Sequence, residues 1–296
     1  VLGKRVIETE DRVTDAAKAW LALTPQERAT TVLLPSGREA RADINAIIQA
    51  GLKKEGTLKG EARVLQVREQ INLTHEEMRY ARFWRAARFL EVARGDNSLG
   101  LPRGDYRIER VFDNGRVGLI DAQGERHRIE PRKIDPLTLR DGLRLAVEKE
   151  IAIHAGERIR WTDSDKREGR GLLNATIATV EKVGPDGVVV RLADGAERTL
   201  ANGDPMLKRM DLAYAINTHM AQGITSSVVY AVMGSFERNL SNARSFLVNL
   251  TRQQDDVRIF TDNRDKLMEQ IGRNRGDKMS ALETTTPAVP DNRART

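Results

Sequence analysis

The stretch "AYAINTHMAQGITSSVVYAVMG" at positions 213–234 places a polar segment between two apolar runs. The runs "LAYAINT" and "SVVYAVMG" have the composition of buried strands. His219, Gln222, Gly223 and Thr225 stand between them. Polar residues at such a junction are typical either of a plain turn or of a binding loop at the edge of a sheet. The surrounding sequence has to decide between the two.

The composition excludes several classes of protein. The 296 residues include no cysteine, so disulfides and thiolate metal sites are ruled out, and a reducing cytoplasm is favoured. Four histidines without H-x-x-x-H or H-E-x-x-H spacing predict no metal centre. The longest apolar runs, about ten residues, are too short for a membrane span. The charged start "VLGKRVIETEDRV" predicts no signal peptide, and its initial valine suggests a piece of a longer protein.

The charge balance favours a polyanionic partner. A formal net charge of +6 and a sequence pI near 9.6 would attract nucleic acid through phosphate neutralisation and counterion release. Many basic proteins bind no nucleic acid, so the charge is only supporting evidence.

The first segment has the pattern of an α/β fold. Apolar residues at helical spacing predict a helix within 8–23, and "TPQE" at 24–27 is a capping box with proline at the first helical position. A strand at 31–36 and an amphipathic helix closed by Gly56 follow. Strand, loop and helix form the basic unit of a parallel sheet.

The next segment is predicted to contain a strand at 62–69 and a helix. The capping box "THEE" at 74–77 predicts a helix running to about Val92. This helix would carry arginines at every third position: Arg79, Arg82, Arg85 and Arg88. Aromatic residues are interleaved with them. One interpretation is a basic face for a nucleic-acid strand, and the other is an amphipathic helix with a solvated basic side.

An internal repeat marks a β-rich insertion. "VFDNGRVGLIDAQGERHRIEP" (111–131) resembles "VGPDGVVVRLADGAERTLANG" (183–203), and both have the turns of β-hairpins. With flanking strands they predict two small SH3-like barrels at about 104–135 and 156–206. The expected fold class is therefore α/β: a RecA-like parallel-sheet domain formed by 1–95 and 207–275, interrupted by the barrels within 96–206. The polar tail 276–296 is expected to be disordered.

Three segments resemble conserved motifs of superfamily 1 helicases of the RecD-like branch. "DLAYAINTHMAQGIT" is similar to the fifth motif, His-x-x-Gln-Gly-x-Thr. "SFLVNLTRQQDDVRIFTDN" resembles the sixth, usually worded "YVALTR" or "YVALSR", and departs from it at Asn249. "TVLLPSGREARADINAII" resembles the fourth. With "GERIRWTDSDKREG" in the insertion, the resemblance is strongest to the conjugative relaxase–helicases of the TraI family and covers roughly 5–272.

The resemblance implies roles for individual residues. Arg252 would stabilise the γ-phosphate of ATP as an arginine finger, with Gln222, Gly223 and Arg38 completing this half of the nucleotide site. Single-stranded DNA would be bound by His219 and Thr225 and by a hairpin of the second barrel carrying Arg160, Trp161 and Lys166. His219 has the alternative of a partly buried structural histidine, and Arg252 that of a surface ion pair. Trp161 would either stack on a base or belong to the barrel core.

Missing motifs limit what the chain would do alone. No G-x-x-x-x-G-K-[ST] occurs, so ATP and Mg²⁺ are expected only in the parent helicase and no ATPase activity is expected from this chain. The resemblance further implies single-stranded DNA and a type IV secretion coupling protein as partners, without membrane insertion. It also implies bacterial cytoplasm as the location and export with the DNA. A RecD-like repair helicase and a docking module that binds no nucleic acid are the alternatives.

Overall fold

The computed structural model describes residues 5–71, 73–137, 142–165, 169–216, 226–237, 242–243, 246–247, 251 and 253–274. The chain divides into two compact units, Val1–Leu58 with Leu212–Thr296 and Lys59–Asp211. The second unit is thus inserted between the two segments of the first. The insertion is predicted to cover 96–206, but this unit begins at Lys59, because the strand that starts there pairs with another strand of the same unit. It ends at Asp211, slightly after the predicted residue 206.

The described residues form fifteen strands and six α-helices. The strands are β1 Val6–Glu8, β2 Thr31–Pro35, β3 Lys59–Gln70, β4 Phe89–Val92, β5 Gly104–Val111, β6 Val117–Ile120, β7 Arg126–Ile129, β8 Leu143–Ala155, β9 Arg158–Trp161, β10 Ile177–Gly184, β11 Gly187–Leu192, β12 Glu197–Ala201, β13 Met210–Leu212, β14 Ser226–Val232 and β15 Gln253–Thr261. The helices are α1 Arg12–Leu21, α2 Pro25–Thr30, α3 Arg38–Lys54, α4 His75–Met78, α5 Ala81–Trp84 and α6 Arg264–Arg273. Pro131–Lys133 and Pro205–Arg209 are 3₁₀ turns. Among the described helices, none is long and apolar enough to cross a bilayer.

The first unit is built on a parallel sheet with the order β1-β15-β14-β2. Its predicted local signals are confirmed: the Thr24 capping box opens α2, and Gly56 adopts the left-handed conformation (φ +77°) just after α3. The core joins α1 and α3 to the sheet through apolar side chains. These include Trp20, Leu33, Ile44, Ile48, Tyr230 and Phe260.

One amide side chain on α3 holds the chain where it re-enters this unit. Asn45 is 4% exposed and donates from Nδ2 to the carbonyl oxygens of Leu212 and Ala215, both at 3.4 Å. The amide nitrogen of Ala215 donates to Asn45 Oδ1 at 2.8 Å, and Ala215 forms a parallel bridge with Leu33. The start of the 213–234 stretch is thereby placed beside β2.

The second unit contains a six-stranded sheet, β3-β8-β4-β5-β6-β7, and a five-stranded sheet, β12-β11-β10-β9-β13. The predicted repeat is confirmed as two three-stranded meanders, β5-β6-β7 and β10-β11-β12. Each meander has one bulge in its first strand, at Glu109 and at Glu181. A 3₁₀ turn beginning with proline follows each third strand.

The helix predicted from 74 to about 92 is wrong. The Thr74 capping box forms, but α4 and α5 have only four residues each, and Phe89–Val92 is strand β4. β4 is paired on both sides, with β5 and with β8. Sheet pairing of this segment overrides its helical spacing, as tertiary context commonly does. The four arginines therefore do not line one helical face.

We expect Asn45→Ala to lower the free energy of unfolding by about 3 kcal/mol, since it leaves one buried N–H and two carbonyl oxygens short of partners. Urea denaturation would measure the loss. Asp43→Ala, at an exposed position on the same helix, is the matched control and should stay within about 0.5 kcal/mol of the parent. Equal losses in the two variants would show that Asn45 contributes only helix propensity.

Candidate nucleotide and DNA site

The amino ends of two central strands meet at one edge of the parallel sheet. Ser226, the first residue of β14, is the register partner of Gln253, the first residue of β15. In the sequence, Thr225 directly precedes β14 and Arg252 directly precedes β15. His219, Gln222, Gly223, Thr225 and Arg252 themselves lie outside the described residues. The two predicted motif segments thus lead into neighbouring strands at the same level of the sheet.

Arg38 belongs to the opposite edge. It is exposed in the first turn of α3, three positions after the carboxyl end of β2. β2 is parallel to β14, and its residues Thr31 to Pro35 pair with Val228 to Val232 of β14. The seven residues of β14 span roughly 20 Å at about 3.3 Å per residue. The topology therefore gives no support to a nucleotide site shared by Arg38 and position 252.

The carboxyl edge of the sheet carries a polar cluster that the sequence reasoning missed. Arg12 Nη2 donates to Glu237 Oε1 at 2.6 Å, and the Ser235 hydroxyl donates to Asp262 Oδ2 at 2.6 Å. Burial raises the pKa of Asp262, but the hydrogen bonds from Ser235 and the charge of Arg12 outweigh it and hold that pKa below the ordinary value. Glu237 and Asp262 both have hydrogen-bond partners within the cluster, so we interpret the cluster as structural.

Gly234 lies inside this cluster and has no room for a side chain. A Cβ there would stand 2.7 Å from Arg12 Nη2 and 2.7 Å from Glu237 Cδ. Its amide nitrogen also donates to Glu237 Oε2 at 3.1 Å. Glycine allows the loop after β14 to pass against this ion pair.

We expect Gly234→Ala to destabilise the chain by about 1–3 kcal/mol, because the methyl group must displace the Arg12–Glu237 pair. Differential scanning fluorimetry and urea denaturation would measure the effect. Gly272→Ala in α6 is the control: nothing lies within 4 Å of its Cβ position, so it should be neutral or stabilising. If Gly234→Ala had the same free energy of unfolding as the parent, the Arg12–Glu237 pair would have shifted without loss of stability.

Two of the residues predicted to bind DNA, Arg160 and Trp161 of β9, lie in the interior of the second unit. Trp161 is fully buried, so its interpretation as a core residue holds and the ring offers no face to a base in this conformation. Arg160 is 6% exposed, and its Nη2 donates to Asp211 Oδ2 at 2.6 Å. In this conformation its guanidinium is engaged with Asp211, and its contact with DNA stays a prediction. Lys166 lies outside the described residues.

Three side chains with metal-binding capacity meet at the second turn of the first meander. Ligand atoms of Asp121, Glu125 and His127 lie within 4.8 Å of one another. His127 Nε2 is 2.8 Å from Asp121 Oδ2, and this hydrogen bond holds the pKa of Asp121 below its ordinary value. Asp121 Oδ1 accepts from the backbone N–H groups of Gln123 and Glu125. The carboxylate is thus used by the turn itself.

Comparison with known proteins identifies the family. Residues 67–153 match the DNA relaxase TraI 2B/2B-like domain. The multifunctional conjugation protein TraI of Escherichia coli is 30% identical over 248 residues, which is 81% of this chain and 13% of that protein. TraI of E. coli strain K12 is 31% identical over 247 residues, with the same coverage. This chain belongs to the TraI relaxase–helicase family. It spans about an eighth of the length of these curated relatives.

Solved structures of Pif1 helicases are more distant. The Bacteroides Pif1 helicase in complex with ADP-AlF3 and ssDNA is 13% identical, with a TM-score of 0.37, and the alignment covers 88% of this chain and 51% of that one. Candida albicans Pif1 is also 13% identical, with a TM-score of 0.37 and coverage of 87% and 54%.

Proposed function

We propose that this chain is the second motor domain of a conjugative relaxase–helicase, RecA-like in fold, with 2B-like and 2B modules inserted. The observation that carries the proposal is the pairing of Ser226 with Gln253. It brings the ends of the fifth-motif and sixth-motif segments to one edge of the sheet. A motor domain needs both motifs at one edge so that nucleotide state and DNA contact can be coupled.

At this edge Arg252 would complete an ATP site whose phosphate cradle and Mg²⁺ ligands belong to another domain of the parent protein. The guanidinium would stabilise the charge that develops on the transferred phosphoryl group. Gln222 and Gly223 would form the turn facing the nucleotide, while His219 and Thr225 would contact phosphate or sugar of the DNA strand. Arg38 lies at the other edge, so its part in the nucleotide site stays a prediction that the topology does not support.

The two meanders support the assignment of SH3-like barrels. Each has three antiparallel strands with a bulge in the first and a proline-initiated 3₁₀ turn after the third. A further strand follows each turn, β8 and β13 respectively. Small barrels of this kind beside a motor domain would close over single-stranded DNA.

The parent protein would act in plasmid transfer. The domain would hold and help unwind DNA in the bacterial cytoplasm, and it would present an internal translocation signal to the coupling protein of a type IV secretion system. A reporter recombinase fused to this chain and scored in recipient cells would test the second role. Absence of transfer would remove the secretion role and leave DNA binding untouched.

We expect the purified chain to bind a labelled oligothymidylate more tightly than a duplex of the same length. Affinity should fall steeply between about 50 and about 200 mM salt, because bound phosphates release counterions. Fluorescence anisotropy over a salt series is the measurement. Absence of binding at the lowest salt would refute DNA holding by this part alone and favour a docking module.

In the parent protein we expect Arg252→Gln to lower ATPase turnover by about a thousandfold or more, the usual contribution of an arginine finger. Its affinity for oligothymidylate without nucleotide should be unchanged. The control is Arg5→Gln, at a half-exposed ion pair with Asp256. Unchanged turnover in Arg252→Gln would assign the chain to a degenerate helicase copy that only holds DNA. A RecD-like repair helicase would show the same loss of turnover but would lack a nicking domain in the parent.

A further inference from the structure

The outer face of the first meander carries four exposed arginines. Arg107 and Arg126 are both register partners of Ile120, and Arg110 and Arg128 are both register partners of Gly118. Residues directly opposite each other in a sheet share a face, so all four side chains project from one side. We call this set the arginine face. Its rows are about 7 Å apart along the strands and its columns about 10 Å apart across them.

The bulge at Glu109 creates this arrangement. Without it, strict alternation would send Arg107 and Arg110 to opposite sides of the sheet. With the extra residue, Arg110 joins Arg107, while Ile108 turns toward the core that contains Leu119 and Ile129.

An aromatic ring lies between two of the arginines. The guanidinium carbons of Arg110 and Arg128 are 5.2 and 4.8 Å from the centre of the Phe112 ring. A Cβ on Gly118 would stand 3.4 Å from Phe112 Cε2, so glycine lets the ring lie against the sheet. The ring thereby fixes two cations that would otherwise sample many rotamers.

Most of this charge is not neutralised locally. Arg126 Nη2 lies 3.1 Å from Glu109 Oε1. Across the described part of the chain, no carboxylate forms an ion pair with Arg107, Arg110 or Arg128. Three cations on one sheet face, two of them held by the Phe112 ring, are therefore available to an anionic ligand.

The second meander shows that the scaffold does not need these arginines. At the positions matching Arg107, Arg110, Arg126 and Arg128, its register places Thr179, Lys182, Glu197 and Thr199. Val189 stands where the first meander has Gly118. The strands, the bulge and the 3₁₀ turn are the same in both. The arginine face is thus an addition to one copy of a shared scaffold.

We propose that the arginine face binds the phosphodiester backbone of DNA, as a second contact surface distinct from the motif edge of the parallel sheet. This inference rests on the proposed function and names the part of the insertion that serves it. Guanidinium groups match phosphate geometry with paired hydrogen bonds. Regularly spaced cations held by a ring suit a repeating anion. The edge of Phe112 adds an apolar contact for a sugar or base.

The test uses the whole chain and two matched double variants. Arg110→Gln/Arg128→Gln removes two cations from the arginine face. Lys182→Gln/Arg191→Gln removes two cations from the second meander, where both positions are exposed and Arg191 pairs with Glu181 and Glu197. Each variant is titrated with labelled oligothymidylate and with a duplex of equal length, over a salt series, after its melting temperature has been compared with the parent's.

For Arg110→Gln/Arg128→Gln we expect roughly tenfold weaker binding. The salt slope should fall by about 1.4 for the single strand, or by about 1.8 for the duplex if that is the ligand. The control variant should change affinity less than about twofold. The DNA form, single-stranded or duplex, for which the salt slope falls is the form that binds the arginine face. Arg107 has no ion-pair partner among the described residues. Arg107→Gln should reproduce half of the change in salt slope. It therefore gives a result even if the double variant folds poorly.

Three results would overturn the proposal. If both Arg110→Gln/Arg128→Gln and Arg107→Gln bind DNA with the affinity and salt slope of the parent, DNA does not bind this face. The proposed function would stand. Equal competition by polyglutamate at the same charge concentration would reassign the face to an acidic protein segment. If the parent chain binds neither DNA form, the proposed function fails first and this inference fails with it.

Discussion

The buried amide of Asn45 is the contact on which the architecture of the first unit depends. The chain leaves this unit at Leu58 and returns at Leu212, after more than a hundred and fifty residues folded elsewhere. Returning strands must find their place in a parallel sheet without a hairpin to guide them. Asn45 supplies the guide, since one side chain satisfies the backbone at Leu212 and on both sides of Ala215. The segment then bridges to β2, and β14 follows in register.

A second device, an ionic one, organises the insertion. Arg209 Nη2 lies 2.8 Å from Glu91 Oε1, and Asp211 accepts from both Lys149 and Arg160. These pairs join residues near β13 to the six-stranded sheet and to β9 inside one compact unit. Buried pairs of this kind contribute little net stability, but loss of one partner is costly. The pairs join specific residues of the two sheets, and the pair with Asp211 holds Arg160 in the interior.

The duplicated meander separates what the scaffold requires from what function adds. Both copies keep a bulged glutamate, a pair of hairpin turns and a proline-initiated turn, which are backbone requirements. Only the first copy places arginines around a phenylalanine on its outer face. In the first copy Gly118 lies against that ring. In the second copy Val189 stands at the matching position, and its side chain would occupy the space of the ring.

Local signals were sufficient wherever backbone chemistry acts over a few residues. The Thr24 and Thr74 capping boxes, the strand at 31–35, the Gly56 helix end and both hairpins follow from side chains within about four positions of one another. The sequence by itself therefore determined the parallel α/β unit, the repeated meander and the motif wording that points to the family. Tertiary structure alone decided the rest, because it depends on partners distant in the chain. Phe89–Val92 became a strand through pairing with residues 104–107 and 143–146. Trp161 is buried within the second unit, and Arg38 lies at the edge opposite Ser226 and Gln253. A single bulged residue places Arg110 on the same face as Arg107.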